Sequence, residues 1–196
     1  MSSVQNPVRQ VKPRREKGSA LLEFAIVLPL LVVFVVGIFD FSGALNTKLK
    51  IQHAAQLGAA VAAAQPTNDL DPTNANPGPD SLKSVVTVIF NSLAADGVLL
   101  LANQGRCIPP AAANSLSPPL NWVYRIPGCP DVLEISINRG FLPGGAATPA
   151  GVGTTVRVHY PYHWRFGSAI QLLFPLNNSY ATATDVAEDA TVHNQD

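Results

Sequence analysis

Residues 17–31 read KGSALLEFAIVLPLL, and they open the long apolar run that decides the fold of this chain. From Ser19 to Phe39 the sequence carries a single charged side chain, Glu23. A helix of about 20 residues spans roughly 30 Å, which is the thickness of the hydrocarbon core of a bilayer. Pro29 falls inside the run, and membrane helices tolerate proline. The run therefore predicts a transmembrane helix over residues 19–40.

A buried helix of a soluble domain and a secretory signal peptide both fit the run less well. The apolar stretch is too long for a buried helix and shows no amphipathic periodicity between Phe24 and Phe39. A secretory signal peptide has an apolar core of about 7–15 residues and then a small-residue cleavage site. Here the run is longer, and the Ala-rich residues 59–64 lie too far from it.

Charge is unevenly distributed along the sequence. The formal net charge of the whole chain is zero, which gives no electrostatic signature for nucleic acid. Residues 1–18 form a basic leader that carries five basic residues against one acidic residue, Glu16. The first basic residues after the run are Lys48 and Lys50. Because basic flanks stay on the cytoplasmic side of a span, this asymmetry predicts a cytoplasmic N-terminus and an extracytoplasmic body.

The helical pattern continues beyond the apolar run. Residues 41–64 contain no proline and are rich in good helix formers, and the Pro-rich residues 65–80 then predict a linker. Small or apolar residues recur at heptad-like spacing in this part: Ala44, Ile51, Ala55, Gly58 and Ala62. This small-residue stripe packs either against the protein's own body or against a helix of another subunit, and the sequence favours neither.

A short motif stands at the start of the run. Gly18 to Phe24 reads GSALLEF, a G-x-x-x-x-E-F pattern between a basic leader and an apolar helix, and it resembles the processing site of type IV prepilins and pseudopilins. The longer stretch GSALLEFAIVLPLLVVFVVGIFDFSGALNTKLKIQHAAQLGAAVAA is similar to the TadE family of pseudopilins from tight-adherence (Flp-type) pilus systems. The shared features are the Glu23-Phe24 pair, Leu28-Pro29, residues 37–41 and the Ala-rich helix after them.

The resemblance implies processing of the N-terminus. A membrane-embedded prepilin peptidase would cut after Gly18 on the cytoplasmic side and leave Ser19 with a new α-amine. Type IV pilins usually have Phe at this position, so Ser19 departs from their pattern. Glu23 would lie one helical turn from that positive terminus, where the helix dipole also favours an anion. Glu23 then either neutralises the Ser19 amine of a neighbouring subunit or lies at the headgroups as a helix N-terminal carboxylate.

Residues 81–196 predict a small α+β body. Ser81 is a suitable N-cap for a helix that reaches Asp96 and that Gly97 stops. Apolar and polar residues alternate over residues 131–138 and again over 154–160, which predicts two strands paired as an antiparallel hairpin or as part of a small sheet. Tyr160-Pro161-Tyr162 also resembles the TadE pattern. The predicted fold class is α+β, in which a long N-terminal helix spans the membrane with its first half and precedes the extracytoplasmic body.

The two cysteines of the chain, Cys107 and Cys129, both follow the predicted span. Because the body is expected outside the cytoplasm, we expect a disulfide between them. Closing this loop would stabilise the body by roughly 3 kcal/mol in the chain-entropy model. A metal site is disfavoured, since the cysteines lack a second pair and Pro161 rules out a helix that would bring His159 and His163 together.

Sequence motifs for catalysis are missing from the chain. It contains no G-x-S-x-G, no H-E-x-x-H and no P-loop. The aromatic residues Trp122, Tyr124, Trp164 and Phe166 fit a core or a loop anchor better than a binding surface. A membrane-anchored hydrolase is therefore the least favoured hypothesis, and we expect no enzymatic activity and no cofactor.

Two hypotheses of function remain. The first is a TadE-like pseudopilin, a structural component of a tight-adherence pilus or secretion machine in the bacterial inner membrane, with the pilus or cell surface as a further location. Its expected partners are a prepilin peptidase and other pilus or pseudopilin subunits that contact the N-terminal helix. The second is an unprocessed single-span envelope protein with an extracytoplasmic binding domain. The two hypotheses differ at one bond, between Gly18 and Ser19.

Overall fold

A computed structural model of the chain describes residues 16–66, 69–70, 79–99, 105–110, 112–117, 120–141, 153–165 and 183–194. The chain divides into two compact units between Phe39 and Asp40. The described residues form a long apolar helix, a second helix and an antiparallel sheet. This arrangement confirms the predicted α+β class.

The first helix, α1, runs from Glu16 to Ala63 and contains 48 residues, close to the predicted 19–64. Pro29 lies inside it. Within the first unit, almost every side chain from Gly18 to Phe39 is exposed. Among the described residues, α1 is the one helix that is long and apolar enough, over Gly18–Ala63, to cross a membrane.

The second helix, α2, runs from Asp80 to Ala95. The prediction that Ser81 is its N-cap is wrong, because the helix begins one residue earlier and Pro79 takes the cap position without a side-chain hydrogen bond. Asp69 provides the side-chain acceptor that an N-cap residue would normally supply. Its carboxylate accepts hydrogen bonds from the Ser81 N–H and from the Ser81 hydroxyl, each at 3.0 Å. The predicted stop is confirmed: Gly97 adopts φ +70°, and the next N–H, that of Val98, bonds the Leu93 carbonyl.

Five described strands form one antiparallel sheet in chain order. They are β1 (Ser115–Ser117), β2 (Asn121–Ile126), β3 (Leu133–Phe141), β4 (Gly153–His163) and β5 (Ala183–His193). The predicted hairpin is confirmed as β3 and β4, which pair Ile135 with Val158. Residues 139–141, which lie between the two predicted strands in sequence, belong to β3, and residues 142–152 lie outside the described residues.

One face of the sheet packs against the second half of α1 and against α2. Apolar side chains on this face alternate along β2, β3 and β4 and join the buried residues of both helices in a single core. Gly58 of α1 marks the closest approach, because a Cβ there would lie 2.5 Å from the Ile89 side chain and 3.5 Å from that of Val156. Only a residue without a side chain lets α1, α2 and β4 pack this closely.

The opposite face of the sheet is polar. Arg125 and Glu134 form an ion pair at 2.8 Å across β2 and β3, and the hydroxyls of Thr155 and Thr191 lie 2.9 Å apart across β4 and β5. This division into an apolar inner face and a polar outer face is typical of an antiparallel sheet with one side open to solvent.

Candidate functional site

The predicted processing residues lie on the first two turns of α1. Gly18, Ser19, Glu23 and Phe24 are all exposed. The Ser19 hydroxyl donates to Glu23 Oε1 at 3.4 Å, one helical turn away. The backbone at Ser19 and the carboxylate of Glu23 are therefore close neighbours on one side of the helix, as the sequence spacing predicts.

The Gly18–Ser19 bond lies in the first turn of α1. The helix begins at Glu16, so the amides of residues 16–18 have no partner within the helix. Glycine also has a low helix propensity, by about 1 kcal/mol relative to alanine. No heavy atom lies within 4 Å of a Cβ built on Gly18, so no described side chain shields this bond.

The small-residue stripe faces inward. Ile51, Ala55 and Ala62 have no exposed surface, Gly58 is buried between α2 and β4, and Ala44 is half-buried. The sequence left open whether this stripe meets the protein's own body or another subunit. In the structure Ile51, Ala55 and Ala62 belong to the core of the second unit, and Gly58 packs against core residues of α2 and β4.

A polar contact joins the first turn of the second unit to the end of β4. Asp40 of α1 is 4% exposed, and its carboxylate Oδ1 accepts the backbone N–H of Arg165 at 3.0 Å. Its backbone carbonyl oxygen accepts from the Tyr162 hydroxyl at 3.4 Å. The same hydroxyl lies over Gly43, where a Cβ would approach it to 2.6 Å. The buried Asp40 and Tyr162 therefore meet Gly43 and the backbone of the exposed Arg165 at one place, which we call the Asp40 junction.

Burial and charge act on Tyr162 at this junction. Burial raises the pKa of its phenol, the nearby Asp40 carboxylate raises it further, and Arg165 opposes them. The ring of Trp164 packs edge-on against that of Tyr162, with centroids 5.4 Å apart. The indole N–H of Trp164 donates to the Thr184 hydroxyl at 2.8 Å and so connects the junction to β5.

Cys107 and Cys129 form a disulfide, and both are fully buried. The carbonyl of Cys129 accepts the Tyr160 hydroxyl, while its N–H bonds the Asp131 carbonyl at 3.0 Å. The bridge therefore fixes the segment before β1 to the connection between β2 and β3, next to the core.

The two histidines of β4 face different carboxylates. His163 Nε2 lies 2.6 Å from Asp131 Oδ2, and His159 Nε2 lies 3.5 Å from Asp185 Oδ1. Within the described part of the chain, no three His, Cys, Asp or Glu side chains are grouped so that they could hold a metal ion. Of the four aromatic residues assigned to core or anchoring roles, Trp122 and Tyr124 are buried, Trp164 is half-buried and Phe166 lies outside the described residues.

Sequence reasoning assigned no role to two polar residues that the structure places in important positions. Asp40 is the one charged residue between Glu23 and Lys48. This isolated charge is the sequence signal that could have identified Asp40 as a structural or functional residue. Arg139 of β3 is almost fully buried, and its guanidinium donates to the carbonyls of Ala62 and Gln65 at the end of α1. A cation is favourable at a helix C-terminus, so Arg139 acts as the cap of α1.

A family model described as TadE-like protein matches residues 18–60. The match begins at Gly18, covers most of α1, and includes no residue of α2 or of the sheet. No curated protein and no solved structure matches the chain significantly.

Proposed function

We propose that this protein is a TadE-like pseudopilin, a non-enzymatic structural component of a tight-adherence pilus or secretion machine, cut by a prepilin peptidase after Gly18. The position of Gly18 is the observation that supports this proposal most strongly. The family match begins at Gly18, which directly precedes the apolar run, and Gly18 lies exposed in the first turn of α1 with Glu23 one turn beyond Ser19. A soluble enzyme would have no use for a leader, an exposed apolar helix and a single carboxylate in this order.

The proposed topology places the N-terminus in the cytoplasm and residues after Asp40 outside the bacterial inner membrane. The basic leader supports this direction of insertion. The buried Cys107–Cys129 disulfide supports an oxidising compartment for the body. In freshly quenched cells of the native host, we expect neither cysteine to react with a thiol reagent after denaturation unless a reductant is added. Full labelling without reductant would contradict this topology.

The proposed role of Glu23 is to neutralise the Ser19 amine of a neighbouring subunit after cleavage. The helix places the two groups about one turn apart, so two staggered copies could exchange partners across a shared apolar contact. An unpaired charge left in such a contact is unfavourable, and we expect Glu23→Gln to weaken assembly by roughly 100-fold. Insertion should survive, because the span stays apolar.

The experiment that tests the proposal is complementation of a gene deletion in the native host. We expect the deletion to abolish adhesion and co-purification of the protein with pilus components. Wild-type protein and Glu16→Gln, which changes only the leader that cleavage removes, should restore both. Glu23→Gln should restore membrane level and cleavage without restoring adhesion. A deletion strain that adheres normally would argue for the envelope binding protein instead.

A further inference from the structure

One end of the sheet lies beside the first residue of the second unit. β4 ends at His163, and two residues later the backbone N–H of Arg165 donates to Asp40 Oδ1 at 3.0 Å. Asp40 directly follows the apolar run in sequence. With that run in a membrane, as the proposed function states, Arg165 therefore lies close to the membrane surface.

Two further segments of the chain lie at this end of the sheet. The connection between β2 and β3, residues 127–132, reaches it because Asp131 Oδ2 lies 2.6 Å from His163 Nε2. The disulfide then holds residues 106–108 beside that connection. We call the surface formed by residues 106–108, 127–132 and 163–165 the Arg165 end.

The exposed and unpaired charges of the Arg165 end are positive. Arg106 and Arg165 are both exposed, and neither guanidinium has a hydrogen-bond or ion-pair partner among the residues that the structure describes. The negative groups nearby are engaged, because Asp131 faces His163 and Asp40 is buried. The other lysines and arginines of the described second unit each contact a carboxylate or a backbone carbonyl: Lys48, Lys50, Lys83, Arg125, Arg139 and Arg157. The two arginines at this end are thus complementary to an anionic partner.

Exposed apolar side chains lie at the same end as these arginines. Among the described residues outside α1, the two exposed large aliphatic side chains are Ile108 and Val132, at 55% and 49%. Both belong to the Arg165 end. Trp164 is half-buried next to Arg165, and tryptophan is enriched where proteins meet the membrane–water interface. Arginine, tryptophan and aliphatic side chains together fit the headgroup region of a bilayer, where phosphates border the acyl chains.

We propose that the Arg165 end rests on the surface of the membrane that α1 crosses and binds anionic phospholipid headgroups there. The two arginines lie against the lipid phosphates, and the two aliphatic side chains enter the headgroup layer. The contact with Asp40 keeps this end near the bilayer, which favours lipid over a soluble protein as the occupant. Such tethering raises the effective concentration of headgroups, so a small contact is enough. The proposal rests on the proposed function, which places the apolar run in the membrane.

Spin-label accessibility of the full-length protein in lipid nanodiscs tests the proposal, and the natural disulfide stays intact. Single cysteines replace Val132 at the Arg165 end, Thr191 near the other end of the sheet, and Leu31 within the apolar run. Thr191 is the matched control, because it is also exposed. A water-soluble nickel complex reports contact of each label with water. The discs contain phosphatidylcholine either alone or mixed with the anionic phosphatidylglycerol.

In the anionic discs, we expect the label at Val132 to be several times less accessible to nickel than the label at Thr191. Arg106→Gln combined with Arg165→Gln should remove this protection, because each arginine near an anionic surface strengthens the contact about fivefold. High salt should have the same effect, since it screens these charges. Arg157→Gln is the control for charge, because it removes an exposed arginine on the polar face of the sheet and should leave the protection unchanged.

Three results would overturn the proposal. A label at Val132 that is as accessible as that at Thr191, while Leu31 is protected, would exclude the lipid contact and leave the proposed function standing. Equal protection of Val132 in neutral discs, or protection that survives the loss of both arginines, would exclude recognition of anionic headgroups. A water-exposed label at Leu31 would overturn both proposals, because the apolar run would then not cross the membrane.

Discussion

The hydroxyl of Tyr162 lies 3.4 Å from the backbone carbonyl oxygen of Asp40, although 122 residues separate the two in sequence. This contact brings the end of β4 to the point in α1 where the apolar run ends. The sequence resemblance to pseudopilins included both places, residues 37–41 and Tyr160-Pro161-Tyr162. One residue of each place, Asp40 and Tyr162, belongs to the Asp40 junction.

The Asp40 junction depends on the ring of Tyr162 more than on its hydroxyl. Tyr162→Ala removes a buried ring that packs on Gly43 and Trp164, and we expect a loss of about 3 kcal/mol in the free energy of unfolding. Tyr162→Phe keeps the ring and should cost less than about 1 kcal/mol, because the hydrogen bond is long. Denaturation of the full-length protein in detergent, followed by tryptophan fluorescence, measures both. Equal losses would contradict the role of the ring.

Close packing at Gly58 gives a second prediction, with Gly37 as a matched control on the same helix. A Cβ at Gly58 would lie 2.5 Å from the side chain of Ile89, so Gly58→Ala should destabilise the protein by about 1–3 kcal/mol. A Cβ at Gly37 has no heavy atom within 4 Å, so Gly37→Ala should be neutral or stabilising by up to about 1 kcal/mol. The same denaturation measurement separates them, and a neutral Gly58→Ala would show that α1 does not pack this closely against α2.

Arg139 gives a third prediction, with Arg157 as its control. Arg139→Leu leaves the carbonyls of Ala62 and Gln65 without their buried donor, and we expect a loss of about 1–3 kcal/mol in unfolding free energy. Arg157 lies on the polar face with its guanidinium 4.0 Å from Asp189, mostly exposed, so Arg157→Leu should change stability by less than about 1 kcal/mol. Similar effects of the two substitutions would rule out a capping role for Arg139.

The buried tyrosines predict a loss of stability at alkaline pH. Burial, together with the charge of Asp69, raises the pKa of Tyr124 to about 12, and burial together with the charge of Asp131 raises that of Tyr160 to about 12. In the unfolded chain a tyrosine ionises near its ordinary pKa of about 10. Below this pH the stability is fully present. Above it the unfolded chain loses protons that the folded chain keeps, so stability falls as pH rises from about 10 to about 12.

Absorbance at 295 nm, together with unfolding measured across this pH range, checks the prediction. Near pH 11, phenolate absorbance should report fewer than the chain's four tyrosines in the folded protein and rise to nearly all of them on unfolding. Each of the two buried tyrosines should lower the folding equilibrium constant by about tenfold per pH unit within this window. Tyr160→Phe should make the decline less steep. Four tyrosines that titrate together near pH 10 in the folded protein would refute the argument.

The sequence predicts the elements whose patterns are local. The apolar run, the end of α2 at Gly97 and the pairing of β3 with β4 follow from spacing and alternation within short windows. The strand β5 does not stand out in the sequence, because its residues, ATDVAEDATVH, are rich in Ala, Asp and Glu, which are uncommon in strands. It forms at the sheet edge, where pairing with β4 outweighs propensity.

Side-chain roles that depend on distant segments lie beyond local patterns. In β2, the apolar Val123 separates Trp122 from Tyr124, so the short run shows no clear alternation and predicts no more than core or anchoring aromatics. Arg139 is buried because the end of α1 packs beside it, more than 70 residues earlier in the chain. Whether the small-residue stripe faces the core or the solvent also depends on where α2 packs. The heptad-like spacing within α1 carries no information about this.

The N-terminal residue of the mature protein tests the central claim most directly. Gly18→Leu is a clean control, because no heavy atom lies within 4 Å of a Cβ at this position, so the larger side chain should block the cut without disturbing the fold. In protein purified from the native host with its prepilin peptidase, we expect wild-type chains to begin at Ser19 and Gly18→Leu chains to begin in the leader. Wild-type chains that keep Met1 in the presence of the active peptidase would contradict the pseudopilin account.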